Sequence, residues 1–256
     1  MDVDRLWLYT NFDCNLQCSY CLSSSHPNAP RREFEWDLYT QLVDEAVSLG
    51  IPELCLTGGE PFLLSDMAQR IEYAAAHMPV TVLTNGLPLT ESRLAGMAHL
   101  RDMPVTLQIS LDGHRAELHD PYRGQGTWSR TVDAIRRVQA AGFKVAIGAT
   151  ETPLNTEHLA ELAAFVSDLG VHAKDFFVRP LTKRGLSAEG LELQAGDLAP
   201  ELTVTAEGVY WHPQTGGEAL RLTQQPLPLH LAFDLMQTTF DALIAGGPMP
   251  QRYRCA

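Results

Sequence analysis

The chain has 256 residues and a formal net charge of -12, and 45% of its residues are hydrophobic. This length suits one large α/β domain, or one domain with a small extension. The acidic balance argues against nucleic-acid binding, because phosphates repel a negative surface. No stretch reaches the ~20 apolar residues of a membrane span, and the first residues lack the basic and apolar regions of a signal peptide. We therefore expect a cytoplasmic protein that binds neither nucleic acid nor membrane.

Strand-like and helix-like segments alternate over the first two thirds of the chain. The predicted strands cover residues 6–11, 53–57, 80–84, 105–111, 144–150 and 174–178. The predicted helices between them cover residues 37–49, 65–77, 90–100, 128–141 and 156–169. Glycines that suit helix C-caps follow several of these helices, at Gly50, Gly142 and Gly170. The alternation predicts an α/β fold with a parallel sheet, and six units favour a partial (β/α)6 TIM-like barrel over a closed eightfold one.

The alternation stops after about residue 185. Residues 187–200 read as a loop, residues 202–211 resemble a β-hairpin around Glu207-Gly208, and residues 229–245 have the pattern of an amphipathic helix. We expect residues 1–185 to form the barrel. Residues 186–256 are expected to form a small C-terminal hairpin-plus-helix extension that caps it.

Residues suited to chemistry follow the predicted strands directly. Three cysteines follow the first strand, Gly-Gly-Glu-Pro follows the second, Asn85 follows the third and Asp112 follows the fourth. The carboxyl ends of the strands of a β/α barrel meet at one mouth, where its active sites lie. We therefore expect these residues to share one site.

The cysteines of this site are Cys14, Cys18 and Cys21, spaced Cys-x3-Cys-x2-Cys. Three thiolates on one short loop can hold three irons of a cubane cluster and leave the fourth iron without a protein ligand. A zinc site in which His26 completes a Cys3His set is the alternative. The position at a barrel mouth, facing a glycine-rich loop, favours the cluster.

The segment CNLQCSYC resembles the signature of the radical S-adenosylmethionine superfamily, CxxxCxxC with an aromatic residue before the last cysteine. Tyr20 occupies that aromatic position. The resemblance implies that Cys14, Cys18 and Cys21 ligate one [4Fe-4S] cluster whose open iron is chelated by S-adenosylmethionine. One electron would then yield a 5'-deoxyadenosyl radical. An electron donor such as flavodoxin or ferredoxin is implied as a partner.

Further segments extend the resemblance over about residues 5–185. Gly58-Gly59-Glu60 matches the GGE motif of the family, which implies contact with the methionine amino group. SLDG at residues 110–113 and HDPYRG at residues 119–124 imply that Ser110 and Arg123 contact the methionine carboxylate or the ribose. The residues expected to bind S-adenosylmethionine are Tyr20, Gly58, Gly59, Glu60, Asn85, Ser110, Asp112, Arg123 and Arg179.

Other polar residues are weaker candidates for the same mouth. Thr150, Glu151 and Asn155 follow the fifth strand and could reach it. His26, His114 and Trp128 are more typical of packing or surface positions.

The segment LTVTAEGVYWHP resembles the start of the SPASM or twitch extension, in which cysteines hold auxiliary clusters. Here Trp211-His212-Pro213 follows the hairpin without a cysteine, and Cys255 alone cannot hold a cluster. We expect a degenerate cap, no auxiliary cluster and a free thiol at Cys255. Cys55 lies in an apolar run and is expected to be a buried core thiol.

These features favour hydrogen abstraction from a small metabolite of the sugar, aminocyclitol or nucleoside type in a biosynthetic pathway. The first strand begins near residue 6, so we expect no leader-peptide-binding domain before it. The lack of auxiliary cysteines favours a redox-neutral outcome such as epimerisation, rearrangement or elimination. Crosslinking or epimerisation of a ribosomally made peptide is the alternative function. A non-catalytic metal-binding protein is a remote one, against which the intact motifs argue.

Overall fold

The computed structural model describes residues 3–194, 197–213, 220–244 and 255. The strands are β1 (Leu6–Tyr9), β2 (Leu54–Thr57), β3 (Val80–Thr84), β4 (Val105–Ser110), β5 (Lys144–Glu151), β6 (Phe176–Pro180), β7 (Thr203–Thr205), β8 (Gly208–Tyr210) and β9 (Arg221–Thr223). The helices are α1 (Trp36–Ser48), α2 (Met67–Ala75), α3 (Glu91–Gly96), α4 (Ala116–Arg123), α5 (Thr127–Ala140), α6 (Leu159–Asp168) and α7 (Leu229–Ile244).

The strands form one sheet in the order β6-β5-β4-β3-β2-β1-β7-β8-β9. The first six are parallel to one another, and helices cross between them. β1 pairs with β2 and β7 rather than with β6, so the barrel stays open between β1 and β6. The predicted α/β fold with a partial barrel is confirmed.

The core explains why the strand sequences are continuous apolar runs and do not alternate between apolar and polar residues. All four residues of β1 are buried, as are three of the four residues of β2. Parallel strands covered on both faces have this pattern. The inner face of α1, formed by Tyr39, Leu42, Val43 and Ala46, is buried in the same core.

The extension continues the main sheet. β7 pairs in parallel with β1, with Trp7 opposite Thr203, and β8 pairs in antiparallel fashion with β7. The predicted hairpin is therefore present, and β9 extends it by one strand. The predicted helix is present as α7, although its expected last residue, Ala245, lies outside the described residues. The division between residues 185 and 186 stays a prediction.

Two local features differ from the sequence-based expectation. α4 was not predicted, because Pro121 lies inside it and proline disfavours a helix interior. A short 3-10 helix at Pro61–Leu63 follows the Gly-Gly-Glu segment. Within the described part of the chain, no helix has the length and apolar character to cross a membrane.

Candidate active site

A cavity that is open to solvent at its mouth lies at the carboxyl ends of the barrel strands. Most of the predicted site residues line it: Cys14, Cys18, Tyr20, Cys21, Gly58, Gly59, Asn85, Ser110, Arg123 and Arg179. Glu60 and Asp112 are fully buried behind the wall instead.

The spacing of the three loop thiols distinguishes a cluster from a zinc ion. Tetrahedral zinc with Zn–S bonds of ≈ 2.3 Å brings its sulfur ligands to about 3.8 Å from one another. In the described residues, Glu201, His212 and Cys255 are the only set of three or more possible ligands whose ligating atoms all lie within 4.8 Å of one another. The sulfurs of Cys14, Cys18 and Cys21 therefore do not all lie within 4.8 Å of one another, an arrangement that fits a multi-iron cluster better than one zinc ion.

Backbone amides already point at two of the loop sulfurs. The Leu16 N–H donates to Cys14 Sγ at 3.4 Å, and the Ser25 N–H donates to Cys21 Sγ at 3.3 Å. Hydrogen bonds of this kind tune the potential of iron–sulfur clusters. Burial raises the pKa of Cys14 to about 12 and the pKa of Cys18 to about 11, so both are thiols until a metal displaces their protons.

Gly58 and Gly59 let two backbone segments meet. A Cβ on Gly58 would lie 2.2 Å from the Asn11 carbonyl oxygen, and one on Gly59 would lie 2.0 Å from the Asp13 carbonyl oxygen. The Gly59 N–H donates to Asn11 O at 2.8 Å. The glycines therefore hold the cysteine loop against the end of β2 in addition to lining the cavity.

Glu60 joins this contact to the end of β3. Its carboxylate accepts hydrogen bonds from Thr84 Oγ1 at 2.7 Å, from the Asn85 N–H at 2.8 Å and from the Phe62 N–H at 3.1 Å. Burial raises its pKa to about 7, although these donors oppose the shift. Its contact with a methionine amino group stays a prediction.

Asp112 and Arg123 form a buried ion pair beside the cysteine loop. Arg123 Nε donates to Asp112 Oδ2 at 2.6 Å, and the Tyr20 hydroxyl and the Thr150 N–H also donate to this carboxylate. Burial opposes ionisation of Asp112, but the Arg123 charge and the hydrogen bonds from Arg123 and Tyr20 together outweigh burial and hold the pKa of Asp112 below its usual range. The Arg123 guanidinium therefore lines the cavity, and the Asp112 carboxylate balances its charge.

The remaining predicted residues occupy the other walls. Ser110 ends β4 and Arg179 lies on β6, and both line the cavity. Gly148 leaves room for the Gln108 and Arg179 side chains, because a Cβ there would lie 2.6 Å from Gln108 Nε2 and 3.0 Å from Arg179 Nη2. Asn85 donates through Nδ2 to Asn15 Oδ1 at 2.7 Å, which ties the end of β3 to the cysteine loop.

Among the weaker candidates, Thr150 lines the cavity and Asn155 supports it from behind by donating to Asp112 O at 2.6 Å. Trp128 and His26 instead serve local structure. Trp128 Nε1 donates to Gly113 O at 3.0 Å, and His26 Nδ1 accepts from the Asn28 N–H at 3.2 Å.

Sequence reasoning missed two residues that shape the site. Asn11 is fully buried, and its side-chain amide donates to Asp13 O and to Glu60 O. His119 is also fully buried and accepts a hydrogen bond from the Asp112 N–H. An Asn at the end of a buried strand, directly before the cysteine loop, was the available signal for the first. His119 belongs to the HDPYRG segment, but its contact with Asp112 depends on helix α4, which was not predicted.

Comparison with known proteins places the chain in a family. The Radical SAM superfamily profile matches residues 8–168. Mycofactocin maturase MftC of Mycolicibacterium smegmatis is 35% identical over 171 residues, which cover 66% of this chain and 43% of that protein. AdoMet-dependent heme synthase of Methanosarcina barkeri is 33% identical over 179 residues, 67% of this chain and 49% of that protein. GTP 3',8-cyclase 3 of Mycobacterium bovis is 28% identical over 189 residues, which cover 63% of this chain and 45% of that protein.

Solved structures share the fold. anSMEcpe with bound AdoMet superposes with a TM-score of 0.71 at 15% identity, covering 91% of this chain and 82% of that one. SuiB of Streptococcus suis, bound to precursor peptide SuiA, gives a TM-score of 0.62 at 20% identity, covering 71% of this chain and 40% of that one. The chain spans about half the length of the curated relatives it matches. On the profile match and these sequence relatives, the chain belongs to the radical SAM superfamily, whose members use a [4Fe-4S] cluster and S-adenosylmethionine.

Proposed function

We propose that Cys14, Cys18 and Cys21 hold a single [4Fe-4S] cluster and that the adjoining cavity binds S-adenosylmethionine and a peptide substrate. When bound, the cluster supplies the electron that cleaves S-adenosylmethionine to a 5'-deoxyadenosyl radical, which abstracts a hydrogen atom from the substrate. Flavodoxin or ferredoxin suits the role of electron donor. The observation that carries the cluster assignment is the loop of three thiols, all of which line the cavity and which do not converge within 4.8 Å as ligands of one ion do.

The protein's own groups position these components. Gly59, Asn11 and Glu60 fix the cysteine loop on the ends of β1 and β2. Arg123 and Ser110 present donors to the cavity, in the place where a carboxylate or a ribose would bind. The charge of Arg123 stays balanced by Asp112, so the site binds through directed hydrogen bonds rather than through net positive charge.

Anaerobic reconstitution tests the cluster assignment. We expect about four irons per chain and 5'-deoxyadenosine on reduction with S-adenosylmethionine. Cys18→Ala should abolish this cleavage, whereas Cys55→Ala should retain it, because Cys55 lies on β2 outside the cysteine loop. Cleavage by Cys18→Ala at the wild-type rate would refute the ligand assignment.

The free edge of β6 favours a peptide over a small metabolite. β6 pairs with β5 and, among the described residues, with no other strand. The Leu181 N–H donates to Glu151 O, so by the alternation of a parallel ladder the Val178 amide points away from β5. Pro180, on the same outward side, has no N–H to offer. β6 also lines the cavity through Arg179, so an extended segment paired at Val178 would reach it.

A small metabolite is the second candidate substrate. The relatives are named for mycofactocin maturation, heme synthesis and GTP cyclisation, so the family uses one cofactor set on chemically different substrates. The precursor peptide named with SuiB shows that this fold can hold a peptide in that protein.

Deuterium transfer distinguishes the two classes. Extract from source cells grown in deuterated medium is separated by size into peptide and metabolite fractions, and each is added to the reduced enzyme with unlabelled S-adenosylmethionine. We expect deuterium in 5'-deoxyadenosine from the peptide fraction, and its loss after protease treatment of that fraction. Transfer from the metabolite fraction that survives protease would favour the second candidate and refute the first.

A further inference from the structure

A second group of potential metal ligands lies in the extension, apart from the cysteine loop. Glu201, His212 and Cys255 present a carboxylate oxygen, an imidazole nitrogen and a sulfur that all lie within 4.8 Å of one another. His212 Nε2 lies 3.0 Å from Glu201 Oε2. Over the ranges that the structure covers, no other such trio converges this closely.

The three side chains are buried together. Glu201 is 4% exposed, His212 0% and Cys255 2%. Burial raises the pKa of the Cys255 thiol, and the nearby Glu201 carboxylate raises it further. A cation bound in this space would balance the charges of the Glu201 carboxylate and of a Cys255 thiolate together.

The hairpin brings Glu201 and His212 together. Thr203 pairs with Tyr210 across β7 and β8, and Glu201 and His212 lie two residues beyond this pair on either side of the hairpin. The Glu201 N–H donates to Trp211 O at 2.9 Å, which extends the pairing in this direction. The Cys255 N–H donates to Glu201 Oε2 at 2.7 Å and holds the third side chain beside the pair.

We propose that Glu201, His212 and Cys255 bind one divalent transition-metal ion of the zinc class. Imidazole, thiolate and carboxylate are the protein ligands of zinc, and three of them leave a fourth position open. Cys255 also lines the cavity of the candidate active site, so this position borders the proposed substrate space. The single thiolate separates this site from an iron–sulfur cluster, which takes several.

A purely structural arrangement gives a different result. In that case the Glu201 carboxylate only holds the His212 side chain and the Cys255 backbone in place. The Cys255 sulfur then binds no metal, and replacing it with oxygen in Cys255→Ser leaves the metal content of the protein unchanged. A metal site needs all three side chains, because each supplies one of few ligands.

Metal analysis decides between them. The whole chain, with its loop cysteines occupied by a reconstituted iron–sulfur cluster, is equilibrated with Zn²⁺, freed of excess metal and assayed for zinc and iron. Wild-type protein and Cys55→Ala should retain about one zinc per chain, whereas His212→Gln and Cys255→Ser should retain about a tenth of that. Cys55 is a matched control, because it is a buried thiol in the same small cluster as Cys255.

Cobalt provides a second, spectroscopic readout of the Cys255 sulfur. Co²⁺ bound to the wild-type chain should show a thiolate-to-cobalt charge-transfer band, and Cys255→Ser should lack it. Wild-type protein without zinc above background, cobalt bound without that band, or equal zinc in wild type and Cys255→Ser would each overturn the proposal. The iron content is counted in the same samples, so failure of the cluster assignment is recognised separately.

Discussion

At the scale of single residues, some polar groups near the cavity line it, whereas others are buried behind its wall and hydrogen-bond to the protein itself. The three loop cysteines were predicted from spacing, and all three line the cavity. Glu60 and Asp112 were predicted as cofactor contacts, but their carboxylates are buried among protein donors. Sequence indicates that an acid follows a strand, but it does not show whether its donors come from a ligand or from the chain. Several of those donors lie 24 to 92 residues away.

The Asp112–Arg123 pair allows a test of this structural purpose. Asp112→Asn leaves Arg123 buried without a counter-charge, so we expect it to lower the free energy of unfolding by about 3–5 kcal/mol. Arg123→Met combined with Asp112→Asn removes both charges and should be more stable than Asp112→Asn alone. A double-mutant cycle from urea unfolding measures the coupling. Additive losses would show that the pair is not coupled.

His119 predicts a pH dependence of stability. Burial lowers its pKa to about 4, whereas the unfolded chain has the ordinary value near 6.5. Between these values the unfolded state binds a proton that the folded state does not, so stability falls as pH falls from about 6.5 to 4. The loss at this residue reaches about 3 kcal/mol.

His119→Asn removes this proton and should flatten the stability curve in that window. Urea unfolding of both proteins from pH 4 to 7 measures the difference in slope. If the stability of the wild type and of the variant fell with pH at the same slope, the pH dependence assigned to His119 would be contradicted.

At the scale of elements, sequence predicted those that depend on local pattern and missed those that depend on distant partners. The six parallel strands follow from apolar runs between turn residues. α4 was missed because Pro121 outweighed its helical pattern, and β9 because three residues carry little periodicity. The pairing of β7 with β1 joins residues almost two hundred positions apart, and no local signal encodes it.

The contact between the cysteine loop and the end of β2 is an element-scale feature. A methyl group in Gly59→Ala would meet the Asp13 carbonyl oxygen, so we expect the loop to shift, stability to fall by about 1–3 kcal/mol and iron incorporation to fall with it. Gly96→Ala is the control, because nothing lies within 4 Å of its added Cβ in α3. Thermal unfolding and iron content of both variants measure the effect. Equal iron in the two variants would contradict the role given to Gly59.

At the scale of the whole molecule, the two ends of the open barrel differ in what covers them. β1 is flanked by β2 on one side and by β7 on the other, whereas β6 is paired on one side only in the described structure. A loop after β6 crosses the gap, since the Leu186 N–H donates to the Cys21 carbonyl at 3.0 Å. The cavity therefore lies between a strand that is paired on both sides and an edge strand.

The pairing of β1 on both sides has a consequence for motion. The Leu6 N–H donates to Glu53 O toward β2, and the Trp7 N–H donates to Leu202 O toward the extension, so neither amide is released without separating strands. In hydrogen exchange we expect these amides to open only with global unfolding, and the Val178 amide to exchange by local fluctuation. Similar protection at Trp7 and Val178 would contradict this. The cavity then has one static wall, which carries the cysteines, and one compliant wall that can yield to substrates of different shapes.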